Sequence, residues 1–232
     1  MCGRVAIFTP PERIARFLQA SLDAGLSLTG QASWNLGPTR SILGVSADSG
    51  QRILSTYRWG LVPSWAKDSS AMSKTFNARA ETVADKPSFR SSFAKQRILI
   101  PIDGFYEWKR EGSSKQAWYF QRADGNPLVL AGLGASWSDP AVAGSPVLHS
   151  ASMITTDAQG SDLEAIHHRV PVVLELEDCE RWLKSEDPAE AQALLQASSL
   201  GTMIGHEVDK RVGNVRNDDA TLIDPVPPET LF

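Results

Sequence analysis

Arg97-Ile98-Leu99-Ile100-Pro101-Ile102-Asp103-Gly104-Phe105-Tyr106-Glu107-Trp108-Lys109 is the stretch on which the reading of the fold turns. It holds two strand candidates, Arg97–Ile102 and Phe105–Lys109, parted by Asp103-Gly104. Working outward, similar short apolar runs lie at Ser41–Ser46 and Arg52–Trp59 on one side. On the other side they lie at Ala117–Arg122, Leu128–Leu133, Val147–Thr155 and Val170–Leu174. Helical spacing is scarcer. Thr9-Pro10-Pro11-Glu12 reads as a helix start, with a Thr cap, a proline in the first turn and Glu at the capping-box position. Ile14, Phe17, Leu18 and Leu22 carry that helix to about Asp23. Shorter helices are expected over Pro87–Lys95, Asp162–Ile166, Asp178–Lys184 and Pro188–Ala197. Many strands with few helices between them point to an α+β fold: a mostly antiparallel, barrel-like β core with a few peripheral helices. No repeat or composition break divides the chain. A single domain over residues 2–223 is expected, then a loose C-terminal tail over 224–232, where Pro225, Pro227 and Pro228 fall.

The chain has 232 residues, 42% hydrophobic and 22% charged, enough to bury a sizeable core. Its two cysteines, Cys2 and Cys179, offer no disulfide framework, which suits a reducing compartment. There is no signal-peptide pattern and no apolar run of membrane-spanning length. A cytoplasmic protein of the bacterial cytosol and nucleoid is expected, with no membrane partner. Net charge is −4, which argues against a generally basic nucleic-acid coat. The halves differ, however: residues 1–116 carry 16 Lys+Arg against 9 Asp+Glu, and residues 117–232 carry 7 against 18. Such asymmetry suggests one face built for an anionic partner. The acidic stretch from Glu175 to Glu190 reads as a solvated helix face.

Cys2 follows directly on Met1. With Met1 removed, Cys2 carries an α-amine titrating near ~8 and a thiol near ~8.5, both usable nucleophiles at neutral pH. Such a 1,2-aminothiol attacks an aldehyde twice, first as amine and then as thiolate. The plainer alternative is a small buried cysteine at the start of a strand. Glu107 is a lone acid in an apolar, aromatic strand: either a general acid/base with its pKa raised by burial, or half of a buried ion pair with an arginine, or part of a strand edge facing water. His167, in Ile166-His167-His168-Arg169, suits proton shuttling or holding an oxygen, but taken alone reads first as part of a His-His surface turn. Asn77 suits orienting a sugar hydroxyl or an intermediate, or stabilising a turn. Trp59-Gly60-Leu61-Val62-Pro63-Ser64-Trp65, beside Arg58 and Lys67, reads as a stacking platform for single-stranded bases or as core. No zinc-ligand spacing occurs, so no metal is expected.

Seven blocks then occur in order: Met1-Cys2-Gly3-Arg4, Trp34-Asn35-Leu36-Gly37-Pro38, Trp59 to Trp65, Asn77-Ala78-Arg79-Ala80-Glu81-Thr82, Asp103-Gly104-Phe105-Tyr106-Glu107-Trp108, Ile166-His167-His168-Arg169-Val170-Pro171 and Val212-Gly213-Asn214-Val215-Arg216-Asn217. Their order and content resemble the SRAP (SOS response-associated peptidase) domain family, from Cys2 to about Asn217. The resemblance implies a DNA-damage-response protein that senses abasic sites in single-stranded DNA and links covalently to the opened sugar through a thiazolidine. It implies Cys2 as nucleophile, Asn77 and Glu107 as positioning and proton-transfer groups, and His167 as an aid to sugar opening and turnover. Arg4, Arg79 and Arg169 match expected phosphate contacts, while Pro38, Trp65 and Trp108 border the DNA groove. No cofactor is implied, and the protein is expected to act as a monomer. Two other classes compete. One is an N-terminal-nucleophile cysteine peptidase, in which removal of Met1 is autocatalytic; the other is a passive single-stranded DNA binding module.

Overall fold

The computed structural model describes residues 2–26, 32–48, 50–112 and 114–227. β1 (Val5–Ile7) is followed by α1 (Pro11–Phe17), β2 (Ser21–Leu22), β3 (Ser33–Leu36), β4 (Ser41–Asp48) and β5 (Gln51–Trp59). Then come β6 (Asn77–Arg79), α2 (Arg90–Lys95), β7 (Arg97–Ile102), β8 (Gly104–Glu111), β9 (Ser114–Arg122) and β10 (Leu128–Trp137). The chain continues through β11 (Leu148–Asp157), β12 (Arg169–Pro171), α3 (Cys179–Lys184), α4 (Pro188–Ala193) and β13 (Met203–Val208). No helix among the described residues is long and apolar enough to cross a membrane.

Five strands form one antiparallel sheet in the order β13-β9-β8-β1-β3. The second sheet runs β12-β11-β10-β7-β4-β5-β2, with β6 added on β11. A parallel pairing of β11 with β5 (Ser150 with Arg58, Ala151 with Trp59) joins the two ends of the path β11-β10-β7-β4-β5. That pairing gives the sheet its barrel-like closure. The other parallel pairs are β11 with β6 and β2 with β5. The architecture is thus the mostly antiparallel α+β one that the strand-rich sequence implies.

All of β7 is buried, and the reason is that both its faces are covered. Ile98, Ile100 and Ile102 join a cluster with Trp59, Met153, Phe105 and Phe120. Leu99 belongs to a second cluster with Phe93 of α2 and Trp182 of α3. Arg97 is buried at the strand's start, where its guanidinium donates to the carbonyls of Phe93 (2.7 Å), Trp182 (2.5 Å) and Ser185 and lies over the Trp182 ring. Those acceptors are helix-end carbonyls that the backbone leaves unpaired. The outer face of the five-stranded sheet (Ala6, Tyr106, Ala117, Tyr119, Val208) is covered by Val212 and Leu222 of the C-terminal segment.

Gly104 shows how closely β8 and β9 approach. A Cβ there would lie 2.3 Å from Tyr119 Oη and 2.5 Å from the Phe120 carbonyl oxygen, and the latter is backbone that cannot turn aside. Gly104→Ala is therefore expected to destabilise the protein by about 2–3 kcal/mol through overpacking. A lowered urea midpoint with an unchanged m-value would show it; a midpoint equal to wild type would contradict the tight approach.

Several local expectations need correcting. The first helix stops at Phe17, not Asp23, because Gln19 takes a positive φ of 52° and the chain turns to pair β2 with β5. Its cap is Pro10, not Thr9. Thr9 is held instead by Asp103, which accepts from the N–H groups of Phe8 (2.6 Å) and Thr9 (2.8 Å) and from the Thr9 hydroxyl. Asp162–Ile166 forms consecutive turns, not a helix. Asp162 is occupied in accepting from the N–H groups of Gly201 and Met203. The expected strand over Val170–Leu174 is the shorter β12. β1, β3, β6 and β13 lie outside the expected strands. The acidic stretch forms α3 and α4 with exposed ion pairs such as Arg181–Glu190 and Lys184–Glu180, as a solvated face should. At the expected tail the Val226 N–H still donates to the Glu207 carbonyl (2.9 Å). Residues 228–232, like Met1, lie outside the described residues.

Candidate functional site

Strand alternation builds the site's floor. On β8, Phe105 packs between the sheets and Tyr106 packs on the outer face, so Glu107 is directed inward beside Phe105. Glu107 is 2% exposed and lies opposite Trp118 in the β8–β9 register. Burial pushes its carboxyl above the usual carboxylate range.

Cys2 precedes β1 and is 1% exposed, packed in the same inter-sheet cluster as Phe105. Burial pushes its thiol well up, and the Glu107 carboxylate adds to the effect. The thiolate is thus disfavoured in the resting protein. Asn77, on β6, donates from Nδ2 to the Cys2 carbonyl at 2.7 Å. Asn77 Oδ1 is buried and has no hydrogen-bond partner among the described residues, so an acceptor waits beside the chain start. β6 reaches this place through its parallel pairing with β11 (Asn77 with Met153).

His167 ends the turns between β11 and β12, its N–H bonded to the Leu163 carbonyl. The Arg169 N–H donates to Nδ1 at 3.0 Å, and the Arg169 carbonyl lies 3.1 Å from the same nitrogen. The first contact fixes the ring with Nδ1 as acceptor, and Nε2 faces Glu107 Oε2 at 4.0 Å. Burial lowers the His167 pKa, which favours neutral imidazole at pH 7. Four segments distant in sequence therefore meet: the chain start, β6, β8 and the approach to β12. Together they offer a buried thiol, an amide, a carboxyl whose pKa burial raises and an imidazole whose pKa burial lowers. That set can move protons around a covalent addition.

The remaining sequence candidates are placed differently. Arg4 is half-buried; its guanidinium lies 6.0 Å from the Trp108 ring centroid and donates to Asn35 Oδ1 and the Val212 carbonyl, both at 2.7 Å. Arg79 is exposed and forms no ion pair within 4.0 Å among the described residues, though its charge acts on Glu81. Arg169, expected to grip a phosphate, is buried. Glu81 takes it bidentately (2.6 and 3.0 Å), and the Thr155 carbonyl accepts a further bond at 2.5 Å. Its charge is committed inside the protein, so the geometry suits holding β12, β11 and the His167 turn together. Pro38 is half-buried ahead of Thr39, which has a positive φ of 69°. Trp65 stands 64% exposed, and no hydrogen bond or ring contact ties it to the four central residues.

Glu81, Thr155 and Asn35 escaped the sequence reading as functional groups. A buried Asn flanked by Trp34 and Leu36 was the one available signal. For Glu81 and Thr155 there was none, since their partner lies far along the chain. Among the described residues, no group of three or more His, Cys, Asp or Glu side chains could hold a metal ion.

Comparison with known proteins adds an independent line. Residues 1–215 match the family model described as SOS response associated peptidase (SRAP). The chain is 37% identical over 229 residues to the abasic site processing protein YoqW of Bacillus subtilis (strain 168), covering 97% of this chain and 99% of that protein. It is 30% identical over 231 residues to the abasic site processing protein YedK of Escherichia coli (strain K12), covering 97% and 100%. Among solved structures, a Bacteroides thetaiotaomicron protein superposes with a TM-score of 0.84 at 24% identity, over 97% of this chain and all of that one. That last likeness concerns the fold.

Proposed function

Because the chain belongs to the SOS response associated peptidase family, we propose that it processes abasic sites in single-stranded DNA by forming a covalent crosslink through Cys2. The observation that carries this reading is the meeting of the chain start with Asn77 and a buried Glu107. The Cys2 amine, exposed by removal of Met1, attacks the aldehyde carbon of the ring-opened sugar. Loss of water leaves an imine. The Cys2 sulfur then adds to the imine carbon, its proton passes to the nitrogen, and a thiazolidine closes. Overall, aldehyde and aminothiol give the ring and one water, with no oxidant or reductant.

Each neighbour has a task in this sequence. Protonated Glu107 donates to the departing hydroxyl of the carbinolamine, and as carboxylate takes the proton of a thiol that burial keeps un-ionised. Asn77 holds the Cys2 backbone, while its free Oδ1 accepts from the amine or the sugar. His167 assists sugar opening from the opposite side of the carboxyl. Arg4 and Arg79 contact phosphates, Arg169 positions His167, and Pro38, Trp65 and Trp108 border the strand. The protein works as a monomer, in one domain over 2–223, where the cell keeps its DNA.

Two oligonucleotides of one sequence test the reading, each with one abasic site, one single-stranded and one inside a continuous duplex. A heat-stable shifted band on a denaturing gel is expected, formed faster on the single strand, because stacking on an aromatic platform needs unstacked bases. Bands seen only on native gels would reduce the protein to a passive binder. Equal rates on both substrates would remove the single-strand groove.

A further inference from the structure

The Val212–Asn217 loop and Asn35 have no task in the reaction above, yet the structure ties both to Arg4. Asn35 lies on β3, 3% exposed, with its side-chain hydrogen-bonding capacity heavily used. Oδ1 accepts from Arg4 Nη1 at 2.7 Å. Nδ2 faces the carbonyls of Val212 (3.1 Å), Asn214 (3.1 Å) and Asn217 (2.7 Å), so its two hydrogens are shared among three acceptors. Arg4 Nη1 also donates to the Val212 carbonyl at 2.7 Å. The next residue on the loop, Asp218, accepts from the Trp34 N–H (2.6 Å) and the Ser33 hydroxyl (2.9 Å), which fastens the loop to the same strand.

This arrangement uses one corner of a planar guanidinium and leaves another. Nη1 is committed to Asn35 and Val212. Nε is buried with no hydrogen-bond partner, and Nη2 makes no hydrogen bond among the described residues. Nη2 is therefore the corner left to donate a charge-assisted hydrogen bond to a phosphate oxygen. Gly37 packs close over the buried Nε; a Cβ there would lie 3.7 Å from it. The Trp108 ring flanks the group. A guanidinium on a flexible stem loses entropy when it is ordered by a ligand, and one already locked at Nη1 has little left to lose.

We infer that Asn35 is a positioning residue, which with the Val212–Asn217 loop holds Arg4 so that its Nη2 corner faces a phosphate of the bound strand. The inference rests on the reading of Arg4 as a phosphate contact. It adds a residue and a loop to the interface, acting through Arg4 without touching DNA.

The test measures binding of an undamaged single-stranded oligothymidylate by fluorescence anisotropy across a sodium chloride series, with thermal melting as the check on folding. Asn35→Ala, Asn35→Asp, Arg4→Ala and the double Asn35→Ala/Arg4→Ala variant are compared with wild type. Arg4→Ala is expected to weaken binding about tenfold, the scale of a charged hydrogen bond, and to flatten log K against log[salt] by about 0.7. Asn35→Ala should do the same, and the double variant should be no weaker than Arg4→Ala alone. Asn35→Asp keeps the side-chain volume but neutralises Arg4, so it should flatten the slope equally. A purely structural residue would not move the salt slope of a folded variant.

Wild-type affinity and slope in both Asn35 variants, with Arg4→Ala weakened, would overturn the inference and leave the DNA reading standing. Additive losses in the double variant would overturn it likewise. Wild-type behaviour of Arg4→Ala would overturn the reading of Arg4 itself and the inference with it. Failure of both Asn35 variants to fold would make Asn35 a folding residue, against the inference.

Discussion

Cys2→Ala protein, mixed with a single-stranded oligonucleotide carrying one abasic site, is expected to give no heat-stable band at any time point. The thiazolidine consumes both the amine and the sulfur of Cys2, so no other residue completes the ring. The variant still presents an α-amine after loss of Met1, and borohydride should trap a transient imine that decays without it. The contrast matters because it separates loss of the sulfur from collapse of the site. An uncleaved N-terminal extension makes the reciprocal case: the thiol remains and the free amine is gone, so crosslinking should vanish while melting is unchanged. Full crosslinking by the extended protein would refute the aminothiol chemistry. Intact mass should show wild-type protein lighter by one methionine.

Glu107→Gln is the second large effect. The amide keeps the volume and cannot donate an acidic proton, so crosslink formation should slow by about 10²-fold, the usual scale of general acid/base catalysis. Its pH dependence is more telling. The folded-state pKa of Glu107 is raised by burial, so wild-type imine formation should decline as pH rises through it, and the Gln variant should lack that limb. Stability should move the other way. A carboxyl whose folded pKa exceeds its unfolded pKa favours the fold below the unfolded value and loses that contribution as pH rises through the folded one. Glu107→Gln should therefore melt at a higher temperature than wild type at neutral pH, with the gap closing below about pH 4. A variant as fast as wild type with the same pH profile would make Glu107 structural.

Much of the fold can be read from the residues, with losses that follow a pattern. The long strands β5, β7, β9, β10 and β11 stand out because apolar or β-branched runs of their length have few other uses. β6 and β13 do not: Asn77-Ala78-Arg79 extends only because β11 offers it a partner, and the Met203–Val208 stretch carries a glycine under the Phe120 ring. The first helix ends early because pairing of Ser21–Leu22 with β5 wins over helical spacing at Leu22. Propensity is a weak prior wherever a neighbouring strand supplies hydrogen bonds. Of the residues that meet at the candidate site, Cys2, Asn77, Glu107 and His167 stand out in the sequence as candidates. Their neighbours Glu81 and Thr155 do not.

By itself the sequence settled what depends on covalent and local properties. Cys2 follows directly on Met1 wherever the chain folds, the spacing of apolar runs makes the protein strand-rich, and seven ordered blocks mark the family. The tertiary structure decided what each charged group faces. Arg79 stays exposed and Arg169 is buried, because Glu81 takes the second bidentately and the Thr155 carbonyl accepts from it as well. Glu107 is lifted above its ordinary pKa because β8 turns it toward Phe105 and Trp118. The energy of a charge depends on the dielectric and the dipoles within a few ångströms of it, and strand pairing brings those from residues far along the chain.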